Sequence, residues 1–207
     1  MMKAIKIGVL AAFLPYSAVF ADPVSQISDA AQAAFARMPN VRIVPTIAGN
    51  CGANAVVSER AVYCTTSNEI LLQASQAARP EAAYAVAHVF GHAVQVQHGV
   101  ADVALRTIRA RRADEVVLRG YVERQVDCIA GFLFHQAGLT PASLADWMNS
   151  DPFDDVHWGR NPLRSGPVMP VPLADRDDWF AVGQRGDLSA CAVGEFGSTL
   201  LTDAYRG

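Results

Sequence analysis

Residues 80–98 constrain the fold most, because they predict a long helix without an exposed face. Pro80 suits the first helical position, and Gly99 suits the position just past the last turn. Apolar side chains fall on nearly every side of this helix, and a helix that is apolar all round is buried. Other elements must therefore pack around residues 80–98.

The remaining sequence predicts helices mixed with short strands. Further helices are expected over residues 24–38, 113–136, 140–149 and 175–184, and strands over residues 41–47, 53–57, 60–65 and 69–73. Pro45 places the first strand at a sheet edge, and Ser58 and Glu59 join the second and third strands as a hairpin. The expected class is α+β, with a small antiparallel sheet beside a helical core.

The C-terminal third contains a change in composition. Thr140 with Pro141 is expected to cap the helix that ends near residue 149. Residues 150–174 carry five prolines and predict a long irregular segment over the surface. Asp175 is expected to cap the last helix, with Asp178 in its first turn, where a carboxylate favours the helix dipole.

The N-terminal residues predict export. Lys3 and Lys6 precede an almost wholly apolar run over residues 7–20, followed by a small-residue cleavage site. This pattern is typical of a signal peptide, here residues 1–21, which leaves residues 22–207 as a single mature domain in the periplasm or secreted by a bacterium. A retained membrane anchor is the alternative, although the run is short for a span of ~20 residues.

The charge of the mature chain argues against a nucleic-acid partner. Removal of the two lysines leaves 15 basic and 20 acidic residues, whereas nucleic-acid binding needs a basic face. The basic cluster consists of Arg106, Arg109, Arg111 and Arg112. Asp114 and Glu115 follow it directly, so a solvated helix face is favoured over a partner site.

The cysteines are Cys51, Cys64, Cys128 and Cys191. An even count in an exported chain indicates two disulfides, and four cysteines allow three pairings. Cys51 and Cys64 flank the predicted hairpin and are expected to meet, which leaves Cys128 with Cys191. A cysteine metal site is the alternative, but no C-x-x-C spacing supports it.

Two histidines on the buried helix have the spacing of a metal site. His88 and His92 stand four residues apart, so they lie on one helix face and can offer two imidazoles to one ion. The helix over residues 113–136 supplies Glu123 and Asp127, also four apart. One carboxylate can bind zinc while the other holds a ligand histidine by its second ring N–H.

Each half of this pattern also has an ordinary interpretation. Two helical histidines are often packed or surface residues, and an E-x-x-x-D pair is mostly a solvated face. Both helices nevertheless have buried-looking surroundings, where an unpaired carboxylate is costly. Gly91 between the histidines also needs a reason, which close approach of another element would supply.

The sequence resembles the neutral zinc metallopeptidase family of bacteria. The segments A-Y-A-V-A-H-V-F-G-H-A-V-Q and Y-V-E-R-Q-V-D-C-I-A-G are similar to the family's H-E-x-G-H and E-L-Q-A-D-C-x-A-G helices. N-C-G-A-N, Y-C and R-x-x-W-F-x-x-G-x-x-G-D-x-x-A-C are similar to three further family elements, in the same order. The resemblance extends from about residue 50 to 196, with a weak gap over residues 150–174.

The resemblance implies a zincin-like fold and a role for each matching residue. His88 and His92 correspond to the histidine ligands of zinc, Glu123 to the third ligand, and Asp127 to the carboxylate behind a ligand. It also implies the same two disulfides that the spacing favours.

Two departures bear on activity. Val89 stands where the family carries the glutamate that takes a proton from the zinc-bound water and passes it to the leaving amine. Such acid–base help is worth about 10²–10⁴-fold in rate. Family members often carry His-Gly before the tryptophan helix, whereas residues 167–173 contain no histidine.

Four other side chains have groups that can bind a metal or a substrate. His157 in H-W-G is a candidate that approaches the site from the irregular segment. Tyr121 lies about 200° around the helix from Glu123 and is expected to point away. His98 and His135 sit near helix ends and are expected to be caps or surface residues.

Three functions follow from these patterns. The favoured one is an exported protein that keeps zinc but has lost most peptidase activity, with a peptide or protein as its ligand. The second is an active zinc hydrolase that uses another base or metal hydroxide alone. The third is a binding or scaffold protein that uses the fold without metal.

Overall fold

In the computed structural model, residues 22–53, 58, 60–153, 157–159 and 171–207 are described. The predicted signal peptide therefore lies outside the described residues. Within them, the helices are α1 (Pro23–Ala34), α2 (Ala74–Ala77), α3 (Ala82–Gln97), α4 (Val100–Ala110), α5 (Glu115–Gln136), α6 (Leu173–Gly183) and α7 (Thr199–Ala204). The strands are β1 (Asn40–Val44), β2 (Ala61–Cys64), β3 (Glu69–Gln73) and β4 (Trp158–Gly159), and 3-10 turns cover Arg112–Asp114, Leu144–Asp146 and Leu188–Cys191. Among these helices, none has the length and apolar character of a membrane span.

The centre of the fold is the pair α3 and α5. Every residue of α3 from 82 to 95 is buried, which confirms the predicted helix without an exposed face. Gly91 lies against α5: a Cβ atom there would be 2.8 Å from the Val126 Cγ1 atom and 3.0 Å from the Val126 carbonyl oxygen. The glycine is needed because any side chain would push the two helices apart.

The class is α+β, as predicted, but the sheet is mixed. Its strand order is β1-β3-β2-β4. Only β2 and β3 pair antiparallel, while β1 runs parallel to β3 and β4 parallel to β2. The prediction of an antiparallel sheet is wrong because β1 and β4 reach its edges through long connections rather than hairpins. The edge position of β1, just before Pro45, is confirmed. Residues 54–57 and Glu59 of the predicted hairpin lie outside the described residues.

Two helix predictions are wrong in extent. The helix predicted over residues 140–149 is only the turn Leu144–Asp146, capped by Ser143. The backbone N–H groups of Ala142 and Leu144 bond side chains of α6 and its C-cap residue instead of helical carbonyl groups. Asp177 accepts from the Leu144 N–H at 2.7 Å, and Gln184 accepts from the Ala142 N–H at 2.8 Å. The first helix ends at Ala34 instead of residue 38.

The start of α6 also differs from the prediction. Pro172, not Asp175, occupies the N-cap position. Asp175 lies in the first turn and pairs with Arg124 of α5 at 2.6 Å, which explains why it does not cap. Asp178 is therefore one turn farther from the helix N-terminus than predicted.

Two arginines of the basic cluster make ion pairs within the chain. Arg111 contacts Asp114 at 2.7 Å and Glu195 at 2.6 Å, and Arg112 contacts Glu115 at 3.3 Å. These exposed pairs agree with the interpretation of a solvated face.

Two disulfides attach the loop after β1 to the sheet and the C-terminal segment to α5. Cys51 bonds Cys64 of β2, and Cys128 of α5 bonds Cys191, so both predicted pairs are confirmed. Gln125 adds to the second link by donating a hydrogen bond to the Cys191 carbonyl oxygen at 3.0 Å. The C-terminal segment is thereby held against α5.

Glycines bring the backbones of α5 and α6 into contact. A Cβ atom on Gly131 would lie 2.0 Å from the Phe180 carbonyl oxygen, and one on Gly183 would lie 1.9 Å from the Cys128 carbonyl oxygen. This close crossing fixes α6, and with it Arg176, relative to the face of α5 that carries Glu123.

Gly131→Ala is expected to destabilise the protein strongly, because the added methyl group would overlap the α6 backbone. Overpacking costs about 1–3 kcal/mol and exceeds the gain of about 1 kcal/mol in helix propensity. Chemical denaturation of the oxidised protein measures the change. Gly197→Ala is the control, since no atom lies within 4 Å of its Cβ position. Equal stability of the two variants would contradict the close crossing.

Candidate metal centre

Four buried side chains from three parts of the chain converge on one point. His88 and His92 come from α3, Glu123 comes from α5, and His157 directly precedes β4. One ligand atom from each lies within 4.8 Å of the other three. The two helical histidines are completely buried, while Glu123 is 7% and His157 6% exposed. The structure thus brings together the three predicted ligands and adds His157 to them.

The distances from Glu123 to the two helical histidines are longer than hydrogen bonds and fit ligands of one metal ion. The Nε2 atoms of His88 and His92 lie 3.4 and 3.6 Å from the oxygens of Glu123, beyond normal hydrogen-bond length. The Oε2 atom of Glu123 is buried and has no hydrogen-bond partner. Ligand atoms bound tetrahedrally to zinc at 2.0–2.1 Å are separated by about 3.3 Å. The separations found here lie close to that value.

Asp127 sets the orientation of His88. Its Oδ1 atom lies 2.8 Å from His88 Nδ1 and accepts a second hydrogen bond from the Tyr84 hydroxyl at 2.8 Å. An N–H at Nδ1 leaves the lone pair of Nε2 pointing into the cluster, which is the tautomer that a metal needs. This is the arrangement that the E-x-x-x-D spacing predicts.

Arg176 is a site residue to which the sequence reasoning gave no role. It is completely buried and donates to Asp127 Oδ2 at 2.9 Å and to Asp151 Oδ1 at 2.8 Å. Its Nη1 atom lies 3.5 Å from Glu123 Oε2. Arg176 is the first residue of the R-x-x-W-F element. Its place in the family pattern is therefore the feature of the sequence that could have identified it as a site residue. Periodicity could not reveal it, because nothing in α6 predicts a buried arginine.

Burial and neighbouring charges shift the pKa values of three side chains of the cluster. Burial opposes ionisation of Glu123, but neighbouring His92 and His157 hold the pKa of its carboxyl well below the usual range. Burial drives the pKa of His92 well below its ordinary value. For His88 burial lowers the pKa, yet the charge and hydrogen bond of Asp127 outweigh it and raise the value.

Aromatic side chains cover both helical histidines. The Phe153 ring stacks on His88, with centroids 4.0 Å apart and planes at 17°. The Trp158 ring stacks on His92 at 4.8 Å and 18°. We refer to residues 151–153 and 157–159 as the covering segment. Phe153 and His157 are buried, so these two residues of the predicted irregular segment do not lie on the surface. Residues 154–156 and 160–170 of that segment lie outside the described residues.

The other candidates lie away from the cluster. Tyr121 packs against Phe196, as expected for a side chain on the far side of α5. His98 contacts Phe35 at the end of α3, and His135 is exposed in the last turn of α5. Val89 is fully buried in the main hydrophobic core. Of the histidine-free residues 167–173, residues 167–170 lie outside the described residues.

A family model described as "Putative neutral zinc metallopeptidase" matches residues 44–150, which is more than half of the chain. The chain belongs to this family of zinc-metallopeptidase-like proteins, and the match includes the two helices that carry His88, His92 and Glu123. Comparison with curated proteins gives no match, and comparison with solved structures gives none either.

Asp127→Asn is expected to weaken zinc binding about 10–100-fold. This is the usual effect of removing a residue that is hydrogen-bonded to a metal-ligating histidine. The amide is similar in size but lacks the charge that fixes His88 and balances Arg176. Competition with a chromophoric chelator measures the affinity. Asp175→Asn is the matched control, because Asp175 also pairs with an arginine between α5 and α6, at 2.6 Å and away from the cluster. Equal affinities in the two variants would contradict the role of Asp127.

Proposed function

We propose that this protein is an exported, zinc-binding member of the neutral zinc metallopeptidase family with little or no peptidase activity. The observation that carries the proposal is the buried cluster of His88, His92 and Glu123, combined with valine at position 89. The cluster supplies nitrogen and carboxylate donors, which zinc prefers. The family assignment makes zinc the metal to test first.

The chain's own residues account for holding the ion. His88 and His92 offer Nε2, and Glu123 offers a carboxylate that stays ionised. Asp127 keeps His88 in the binding tautomer, and Arg176 balances the two carboxylates. A zinc ion in such surroundings acidifies water and polarises a carbonyl group. Proton transfer to and from a substrate still needs a separate base.

Val89 removes the base that the family places next to the first histidine. A valine neither accepts nor donates a proton, and its side chain is fully buried among apolar residues. The described carboxylates closest to the cluster are already engaged: Glu123 faces the metal position, Asp127 accepts from His88, and Asp151 accepts from Arg176. None of these three replaces the missing glutamate without disrupting the site.

Export is supported by the cysteine chemistry. Both disulfides link residues of the buried fold, and such bonds persist in oxidising compartments such as the periplasm. The apolar N-terminal run with its preceding lysines provides the signal that export would need. The ligand of such a protein is proposed to be a peptide or protein, by similarity to the family's substrates.

The mature protein is expected to contain stoichiometric zinc and to leave casein uncleaved. Metal analysis after native purification measures the zinc, and a fluorescent casein assay with and without chelator measures hydrolysis. Zinc should be lost in His88→Ala and retained in His135→Ala, whose histidine is exposed and outside the cluster. Absence of zinc, even after zinc is added, would favour a metal-free scaffold. Casein cleavage that stops with chelator would favour an active hydrolase.

Expression of the whole chain in a bacterium is expected to yield periplasmic or secreted protein that begins at Asp22. N-terminal sequencing of the purified protein tests the cleavage position. Leu10→Arg in the apolar run should retain the protein in the cytoplasm, because a charge there disrupts the signal. Membrane-bound protein that still begins at Met1 would instead support a retained anchor.

A further inference from the structure

We propose that His157 is a fourth protein ligand of the metal and that it closes the position which a catalytic zinc site leaves open. Catalytic sites have three protein ligands and an exchangeable fourth position, whereas structural sites have four protein ligands. The inference rests on the proposed zinc site of His88, His92 and Glu123, and concerns how that site is completed.

The position of the His157 ring carries the inference. Its Nε2 atom lies 3.1 Å from His88 Nε2 and 3.0 Å from His92 Nε2. It also lies 3.7 Å from Glu123 Oε2. These separations scatter around the edge of about 3.3 Å expected for a zinc tetrahedron. His157 therefore stands where the fourth corner of the coordination sphere would be.

Backbone pairing holds His157 in this place. Its carbonyl oxygen accepts a hydrogen bond from the Tyr63 N–H at 2.9 Å. The next two residues form β4, in which Trp158 pairs with Tyr63 and Gly159 with Cys64 of β2. Cys64 is itself fixed by its disulfide to Cys51. The histidine thus approaches the metal position from a sheet edge and not from an unsupported loop.

The covering segment is also attached on its other side. Asp151 accepts from Arg176 at 2.8 Å and from the Phe153 N–H at 3.0 Å. Phe153 and Trp158 then stack on His88 and His92. All four donor residues are at most 7% exposed, so the metal position is shielded from bulk solvent. Closure by His157 and exclusion of water are consequences of the same docked segment.

A histidine trio linked by hydrogen bonds alone is the competing explanation. His88 uses Nδ1–H toward Asp127, so its Nε2 is an acceptor when the ring is neutral. A neutral His157 has one N–H and cannot donate fully to two rings at once. One cation at the centre satisfies all three Nε2 lone pairs and the unpartnered Glu123 oxygen together.

The closed site adds a second obstacle to hydrolysis, independent of position 89. Restoring a glutamate at position 89 would supply a base, but the metal would still lack a position for the water it must activate. Opening the site without the base would be insufficient for the opposite reason. The two changes are therefore expected to act together, not separately.

The test replaces zinc by Co²⁺, whose visible spectrum reports the ligand set, and uses azide as the probe of an open position. The proteins are the mature parent, His157→Ala, and His157→Phe, which keeps a ring but lacks nitrogen. His135→Ala is the matched control, because it removes an exposed histidine from α5. Zinc affinity is measured in parallel by chelator competition, and unfolding of each apo-protein shows whether the fold is retained.

The parent and His135→Ala are expected to show a Co²⁺ spectrum that azide leaves unchanged. In His157→Ala the spectrum should shift, and azide should produce a further saturable change because a small ligand can enter. Both His157 variants should bind zinc at least about 100-fold more weakly. Loss of a residue that is only hydrogen-bonded to a ligand already lowers metal affinity about 10–100-fold, and loss of a ligand itself should lower it more. A metal-free parent would overturn the proposed function and this inference together.

A zinc-loaded parent can also overturn the fourth ligand alone. That outcome is an azide response in the parent equal to that of His157→Ala, or zinc affinities unaffected in both His157 variants. The proposed three-residue site would then stand with an open position. Should His157→Ala fail to fold, His157→Phe and the azide response of the parent still decide the question.

Discussion

The close crossing of α3 and α5 is the constraint on which the rest of the structure depends. Contact of Gly91 with the Val126 backbone sets the two helices near enough for His88 and His92 to face Glu123. A larger side chain at this crossing would move the histidines away from the carboxylate. The burial of α3 on all sides makes the geometry rigid, because the sheet, α1 and the covering segment pack around the same helix.

Charge balance around Asp127 links this crossing to the rest of the chain. The aspartate accepts from Tyr84 and His88 of α3 and from Arg176 of α6. Although burial works against it, Asp127 helps to hold the pKa of Arg176 well above its usual value, so the guanidinium remains charged. Arg176 in turn holds Asp151 at the start of the covering segment. The buried carboxylate of Asp127 therefore couples α3 and α5 to the covering segment, which carries His157.

The sequence was informative where chemistry depends on local spacing. The helical intervals of His88–His92 and Glu123–Asp127 predicted two facing pairs, and the cysteine positions predicted both disulfides. Strand direction was predicted incorrectly, because a parallel edge strand such as β4 has only two residues and no local signature. Arg176 received no role and His157 only a provisional one, since neither belongs to a periodic pattern. Their positions follow from tertiary contacts that a single sequence does not specify.

The buried ion pairs around the cluster also affect how the site would change over evolutionary time. Val89 packs in the hydrophobic core and takes part in none of the ion pairs found among the described residues of the cluster. Loss of Asp127 or Arg176, in contrast, would leave an uncompensated buried charge, at a cost of about 3–5 kcal/mol. Folding alone therefore favours retention of Asp127 and Arg176, in addition to any role that the site has in catalysis. A metal-binding signature of this kind is consequently maintained by the stability of the fold as well as by the chemistry of the site.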